Sequence, residues 1–180
     1  MILSYGDLVT YWKRKKIRFD PDISRTQIGF SSIDLRMGEV ATELIQNPGI
    51  TIRPATSIPQ GIFENKPISN YLRIKPRQLI LVLTKESITL PANLCGEVQG
   101  RSSFARYGLA IHITSPHIHP LFSGPITLEL YNHGPNDLEI WPGDPICQLI
   151  LSRVSRPVPR SFQNIGRYRQ QKTPTPVPLS

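Results

Sequence analysis

Long apolar runs are missing from this chain. No stretch approaches the ~18 apolar residues of a helical membrane span, so no membrane partner is expected. The opening Met1-Ile-Leu-Ser-Tyr-Gly-Asp7 lacks the charged-then-apolar layout of a signal peptide, and a cytoplasmic location is expected. Cysteine is scarce. Cys95 and Cys147 sit in apolar, strand-like contexts and form no metal-spacing motif, so both are expected to be reduced core thiols. Acids are few, 13 against 21 basic residues, which leaves a net charge of +8. That surplus calls for an anionic partner or simply aids solubility. There is no internal repeat and no sign of a second domain.

Turn formers are plentiful: 18 prolines and 12 glycines cut the 180 residues into short apolar runs. Such punctuation favours β structure over long helices. The length suits one domain with a sizeable core. Ser4 can cap a helix running to about Lys15, with Leu8, Val9 and Trp12 on one face. The basic block Lys13-Arg14-Lys15-Lys16 fits the solvated C-terminal end of that helix. No aromatic interleaving or nucleic-acid motif accompanies it, so no nucleic-acid partner is expected. Strands are expected at 29–36, 72–74, 78–84, 87–91, 96–99, 109–114, 126–131, 138–141 and 146–151. Signals between Gly38 and Asn70 are weak, and Pro142-Gly-Asp-Pro145 reads as a tight connection. Many short strands imply a mainly β jelly roll or barrel. After Pro157 the chain turns polar, and Pro174, Pro176 and Pro178 predict an extended or mobile tail, not a packed element. The division is thus a β domain over 1–156 and a tail over 157–180.

Two segments carry candidate chemistry. Gly100-Arg-Ser-Ser-Phe-Ala-Arg-Tyr-Gly-Leu109 puts Arg101, Arg106, Ser102 and Ser103 within six residues. Guanidinium forks, hydroxyls and glycine-freed amides suit a multiply charged phosphate, and Gly100 and Gly108 allow close approach. A polar loop whose arginines pair with surface acids fits the same spacing. In Ile126-Thr-Leu-Glu-Leu-Tyr131, alternation puts Thr127, Glu129 and Tyr131 on one face. If that face is covered, Glu129 must pair, protonate or act; if it is solvated, Glu129 is an ordinary surface acid. His112 reads as a hydrogen-bonded core histidine. His117 and His119 face one way but lack an evident third ligand, and the His-x-Glu…Pro-Cys-x-x-Cys zinc-deaminase signature is absent, so no zinc is expected.

Taken together, the chain resembles the dCTP deaminase family, a branch of the trimeric dUTPase-like fold. The resemblance rests on Ser31-Ser-Ile-Asp-Leu-Arg36, Thr89-Leu-Pro91, Gly100–Leu109, Thr127-Leu-Glu129, Pro142-Gly-Asp144 through Gln148, and Gly166-Arg-Tyr-Arg-Gln-Gln171. It implies a dUTPase-like distorted jelly roll with a short N-terminal helix and a flexible C-terminal lid. It also implies zinc-independent conversion of dCTP to dUTP and ammonia. Glu129 would be the general base and then the general acid, worth roughly 10²–10⁴ in rate. Ser102 and the Ser115 carbonyl would hold the water, with Arg106 beside Glu129. Arg101, Ser103, Phe104 and Ala105 would belong to the nucleotide and phosphate segment. Thr127 and Leu128 would contact the base through their backbone. Gln148 would reach the nucleotide, and Phe162, Arg167 and Gln171 would close over it from the tail. Mg²⁺ would ride on the triphosphate, dTTP would be a feedback inhibitor acting on His112-Ile113, and homotrimers would carry intersubunit sites. His119 stands where the family has the aspartate that meets the deoxyribose. That departure counts against a dUTP diphosphatase or a bifunctional enzyme. His119, Phe162 in place of a tyrosine and a shortened lid approach also leave open an inactive nucleotide-binding regulator on the same fold.

Overall fold

The structure is a computed structural model; it describes residues 1–53, 59, 61–166 and 168–176, save the Asn164 side chain. Helix α1 covers Tyr5–Lys13. Ser4 caps it, and the Asp7 carboxylate accepts hydrogen bonds from the Ser4 N–H (3.4 Å) and hydroxyl (3.1 Å). Leu8 is buried, and Val9 and Trp12 pack partly against the core, the face expected from the spacing. Lys13 lies in the last turn, so the basic block does begin at a helix end.

Eleven strands follow among the described residues: β1 (Arg18–Asp20), β2 (Ile33–Leu44), β3 (Phe63–Pro67), β4 (Leu72–Ile74), β5 (Leu79–Thr89), β6 (Leu94–Gly100), β7 (Leu109–Ala110), β8 (His117–Ile118), β9 (Ser123–Asn132), β10 (Leu138–Ile140) and β11 (Pro145–Arg153). A four-residue helix, α2 (Ser102–Ala105), sits between β6 and β7. The main sheet runs β7-β9-β5-β2-β11-β6-β8, with β1 added on β5 and β3 on β2. Strands β4 and β10 form a separate antiparallel pair. This is the mainly β class expected from the punctuation.

Alternation explains most of it. Along β9, Ile126, Leu128 and Leu130 are buried while Thr127, Glu129 and Tyr131 are half-covered. Facing residues such as Ile80, Val82, Leu149 and Leu151 complete the core. Burying each such side chain contributes about 1.5–3 kcal/mol. Where the period breaks, the sequence reading falls short. Strand β2 runs on to Leu44 past its expected end at Arg36, because pairing with β5 shifts register between Met37 and Ala41. A side chain at Gly38 would press on the Leu83 carbonyl, 2.8 Å from its Cβ, so glycine permits that irregular crossing. The runs expected at 78–84 and 87–91 are one strand, β5, with a bulge between Leu83 and Ser87. The bulge turns Glu86 inward, where it is fully buried.

Candidate active site

Glu129 is placed by two features. Its strand is held to β5 by a regular ladder, with Glu129 opposite Leu81. On the other edge, β7 stops after Ala110, and the chain from Ile111 leaves the ladder. The expected strand over 109–114 is therefore only two residues long, because Ile113 pairs with a side chain instead. Ile111 O still accepts from Glu129 N (3.0 Å), and the Ile113 N–H donates to Glu129 Oε2 at 2.8 Å. One carboxylate oxygen is thus fixed by a charge-assisted bond.

Glu129 lines a cleft of about 570 Å³. Ser115, His119, Thr127, Leu128 and Gln171 line it too, so six of the residues singled out by sequence meet in one place. Val98, Ile118 and Phe122 give apolar walls. His117 stands edge-on to His119, ring centroids 4.8 Å apart. The tail closes one side. The Thr127 hydroxyl donates to Gln171 Oε1 (3.0 Å), Gln171 Nε2 donates to Thr175 O (3.2 Å), and Gln170 N donates to Ser123 O (3.0 Å). Gly124, at φ 141°, has no room for a side chain because the Gln170 backbone passes over it. Pro174 is buried. The proline-rich segment is irregular, as expected, but through Pro176 it is docked and not loose: its prolines meet an apolar wall that the sequence did not reveal.

The arginine–serine segment lies elsewhere in the chain. None of Arg101, Ser102, Ser103, Phe104, Ala105 or Arg106 lines the Glu129 cleft. Ser102, Ser103, Ala105 and Arg106 are exposed, while Phe104 packs against the core and anchors α2. Arg101 pairs with Asp34, and Gln148 Nε2 donates to Asp34 Oδ1 (3.3 Å). Gln148 therefore sits with this second group and not with Glu129. Gly108 has φ 91°, and a side chain there would strike the Gly134 backbone. Its freedom serves that crossing. Beneath the segment, burial first, then the negative charges of Glu86 and Asp34, push the Cys147 thiol far above its ordinary range, as suits an inert core thiol.

Phe162 lies in a short 3₁₀ turn, 53% exposed, and is not in the cleft wall. Arg167 lies outside the described residues. Sequence reading gave no role to Asp34, Glu86 or Arg169. Arg169 lines the Glu129 cleft, and its place in the Gly166–Gln171 run was the available signal. His112 is a half-buried wall of that cleft and also of a hollow beside α2, lined by Gly100, Ala105 and Gly108. Its Nδ1 is buried without a hydrogen-bond partner among the described residues, unlike the satisfied core histidine expected.

A mainly β chain with one carboxylate in a cleft of mixed apolar and polar lining, and a basic loop apart from it, meets its match among enzymes that act on nucleotides. The chain belongs to the dCTP deaminase-like family, whose model matches residues 2–154. It is 32% identical over 189 residues to the "dCTP deaminase, dUMP-forming" of Dictyoglomus turgidum, covering 100% of this chain and 95% of that protein. It is 31% identical over 192 residues to the "dCTP deaminase" of Rhodospirillum rubrum, covering 100% and 97%. In fold it is similar to the crystal structure of 2'-deoxycytidine 5'-triphosphate deaminase from Agrobacterium tumefaciens, at TM-score 0.65 and 19% identity. That match covers 86% of this chain and 48% of the other, so it spans about half of the Agrobacterium chain.

Proposed function

We propose that this protein is a hydrolytic dCTP deaminase, converting dCTP and water to dUTP and ammonia for dUMP and dTTP synthesis. The observation that carries the reading is Glu129, held by the Ile113 N–H in the cleft of a chain in this family. The oxygen not held by Ile113 takes a proton from a water whose oxygen bonds to C4 of cytosine. Glu129 returns that proton to N3. It then carries the second water proton to the N4 amine, the C4–N4 bond breaks, and ammonia leaves with uracil as product. Ser115, in the same wall, lends its carbonyl to the water. Because Glu129 N points to the open edge of β9, the N–H and C=O of Thr127, two residues away, project from that same edge. They extend past the end of β7 and can read the base through hydrogen bonds.

The site is completed by a second copy in a homotrimer. The separation of the Glu129 cleft from the exposed Ser102, Ser103 and Arg106 supports this, since a neighbour can present its α2 to the cleft. Arg101, Ser103 and Arg106 then meet the triphosphate and the reacting end, and Gln171 covers it from the tail. Magnesium arrives with the substrate, held by phosphate oxygens and water. dTTP acts as feedback inhibitor through His112-Ile113. Ile113 is the donor to Glu129 and His112 walls both cavities, so a shift of this segment would unseat the base. No helix among the described residues is long and apolar enough to cross a membrane, and a cytoplasmic place fits the reaction.

A second reading is dUMP formation, favoured by the names of several relatives. His119 stands against it, because an imidazole replaces the carboxylate that the hydrolytic water would need. Incubation with dCTP and with dUTP tests both. Ammonia without pyrophosphate is expected; pyrophosphate from dUTP would overturn the assignment of product, and no ammonia would overturn the deaminase.

A further inference from the structure

The Arg101 guanidinium does not stand free. Across the sheet, β11 pairs with β2 on one side and β6 on the other, so Asp34, Gln148 and Gln99 form one cross-strand row. The neighbouring row, Ile33, Leu149 and Val98, is buried, which fixes the polar row on the outer face. Arg101 follows directly on β6 and folds back onto this row to pair with Asp34. Gln148 donates to the other Asp34 oxygen, Oδ1, at 3.3 Å. The pair is mostly covered, with side-chain exposures of 28% and 25%.

Asp34 is itself held from behind. Gln27 Nε2 donates to the Asp34 carbonyl (3.0 Å) and to Glu86 Oε1 (3.1 Å). Glu86, fully buried, also accepts from Arg36 N (2.8 Å) and Arg36 Nε (2.6 Å). A carboxylate in a braced strand thus grips the guanidinium through Nη1, which is buried and has no further hydrogen-bond partner among the described residues. We propose that Asp34 is a positioning residue for polyphosphate binding: it sets the Arg101 fork, and with it Gln148, for the charged end of the nucleotide. This rests on the deaminase reading for the identity of the ligand.

Two effects oppose each other at this site. Removing the Asp34 charge would, by Coulomb attraction alone, tighten binding of an anion. Releasing Arg101 from its anchor loses the alignment needed for paired N–H···O bonds. Alignment dominates here, because a fork–phosphate contact is strongly directional.

The test is calorimetric titration of the full-length assembled protein with Mg-dCTP and with dCMP. Asp34→Asn is expected to weaken dCTP binding roughly tenfold, the loss of about one charge-assisted bond, and to leave dCMP within about twofold. Asp34→Glu, which keeps a carboxylate one methylene further out, is expected to recover part of the dCTP preference. Equal weakening of both ligands, unchanged dCTP affinity, or tighter dCTP binding would each overturn the proposal, whatever the melting temperature does. Should Asp34→Asn not assemble, Asp34→Glu carries the comparison: an unchanged dCTP-to-dCMP ratio overturns it. The deaminase reading fails separately. Wild-type protein that binds dCTP but releases no ammonia sinks that reading and leaves the Asp34 comparison intact.

Discussion

The Glu129 cleft and the arginine–serine helix are built on opposite plans. Glu129 projects from the middle of a ten-residue strand, with a backbone N–H on its carboxylate. The helix is four residues long and leaves Ser102, Ser103 and Arg106 exposed, with Phe104 and the Arg101–Asp34 pair as its anchors. The contrast matches the two tasks proposed for them. Proton transfer demands a group fixed near its target, while a long guanidinium on the surface can reach a phosphate held by another copy.

Several substitutions would break this contrast or sharpen it. The largest effect is expected for Glu129→Gln: ammonia release from dCTP falls by roughly 10²–10⁴ or more, while sedimentation and dCTP binding stay near wild type. Retained turnover would remove Glu129 from its role. Next comes Glu86→Ala, which leaves the donors of Arg36 and Gln27 without their acceptor. A loss of about 3–5 kcal/mol is expected in urea unfolding, with the lower end favoured because Arg36 still reaches water. A negligible change would mean that the bracing behind Asp34 is slack.

Mixing tests whether the two regions meet only between copies. Glu129→Gln and Arg106→Ala proteins, each inactive alone, are unfolded together and reassembled at equal ratio. If each site takes its cleft from one copy and its helix from the next, about a quarter of sites regain both parts. No recovery would place both parts of a working site in one chain. The smallest effect lies away from both regions. Lys15, and then Trp12, hydrogen-bond to the Asp22 carboxyl and hold it below its ordinary value of 3.8. A depressed carboxyl stabilises the fold above that value, and the contribution is lost as pH falls through the lower folded value. Asp22→Asn should therefore narrow the melting-temperature gap between pH 6 and pH 3 slightly, and leave turnover unchanged.

Much of this was legible in the amino-acid order, for reasons that differ by element. Regular alternation in 126–131 placed Glu129 and Thr127 on one face, as found, and Ser4 with Asp7 marked the helix start. Strand β3, with Phe63-Glu-Asn-Lys-Pro67, offered no apolar pattern because it is an exposed strand paired on one side, to β2. Glu86 was hidden because a bulge inverts the side that its position in a strand would suggest. The cluster of Ser115, His119, Thr127 and Gln171 could be gathered only by resemblance, since it joins three separate segments of chain. Asp34 lay in a quoted motif, yet its grip on Arg101 depends on a three-strand register that local spacing does not encode.

The Ile113 bond to Glu129 constrains descent as well as chemistry. The donor is main chain, and the Ile113 side chain is 53% exposed. Evolution can therefore exchange the residue type at 113 freely, proline excepted. It cannot easily lengthen or shorten the path from Ala110 to Pro116, because one residue more or less would turn a different amide toward the carboxylate. Among descendants of this chain, variation here should appear as substitutions, with insertions and deletions purged.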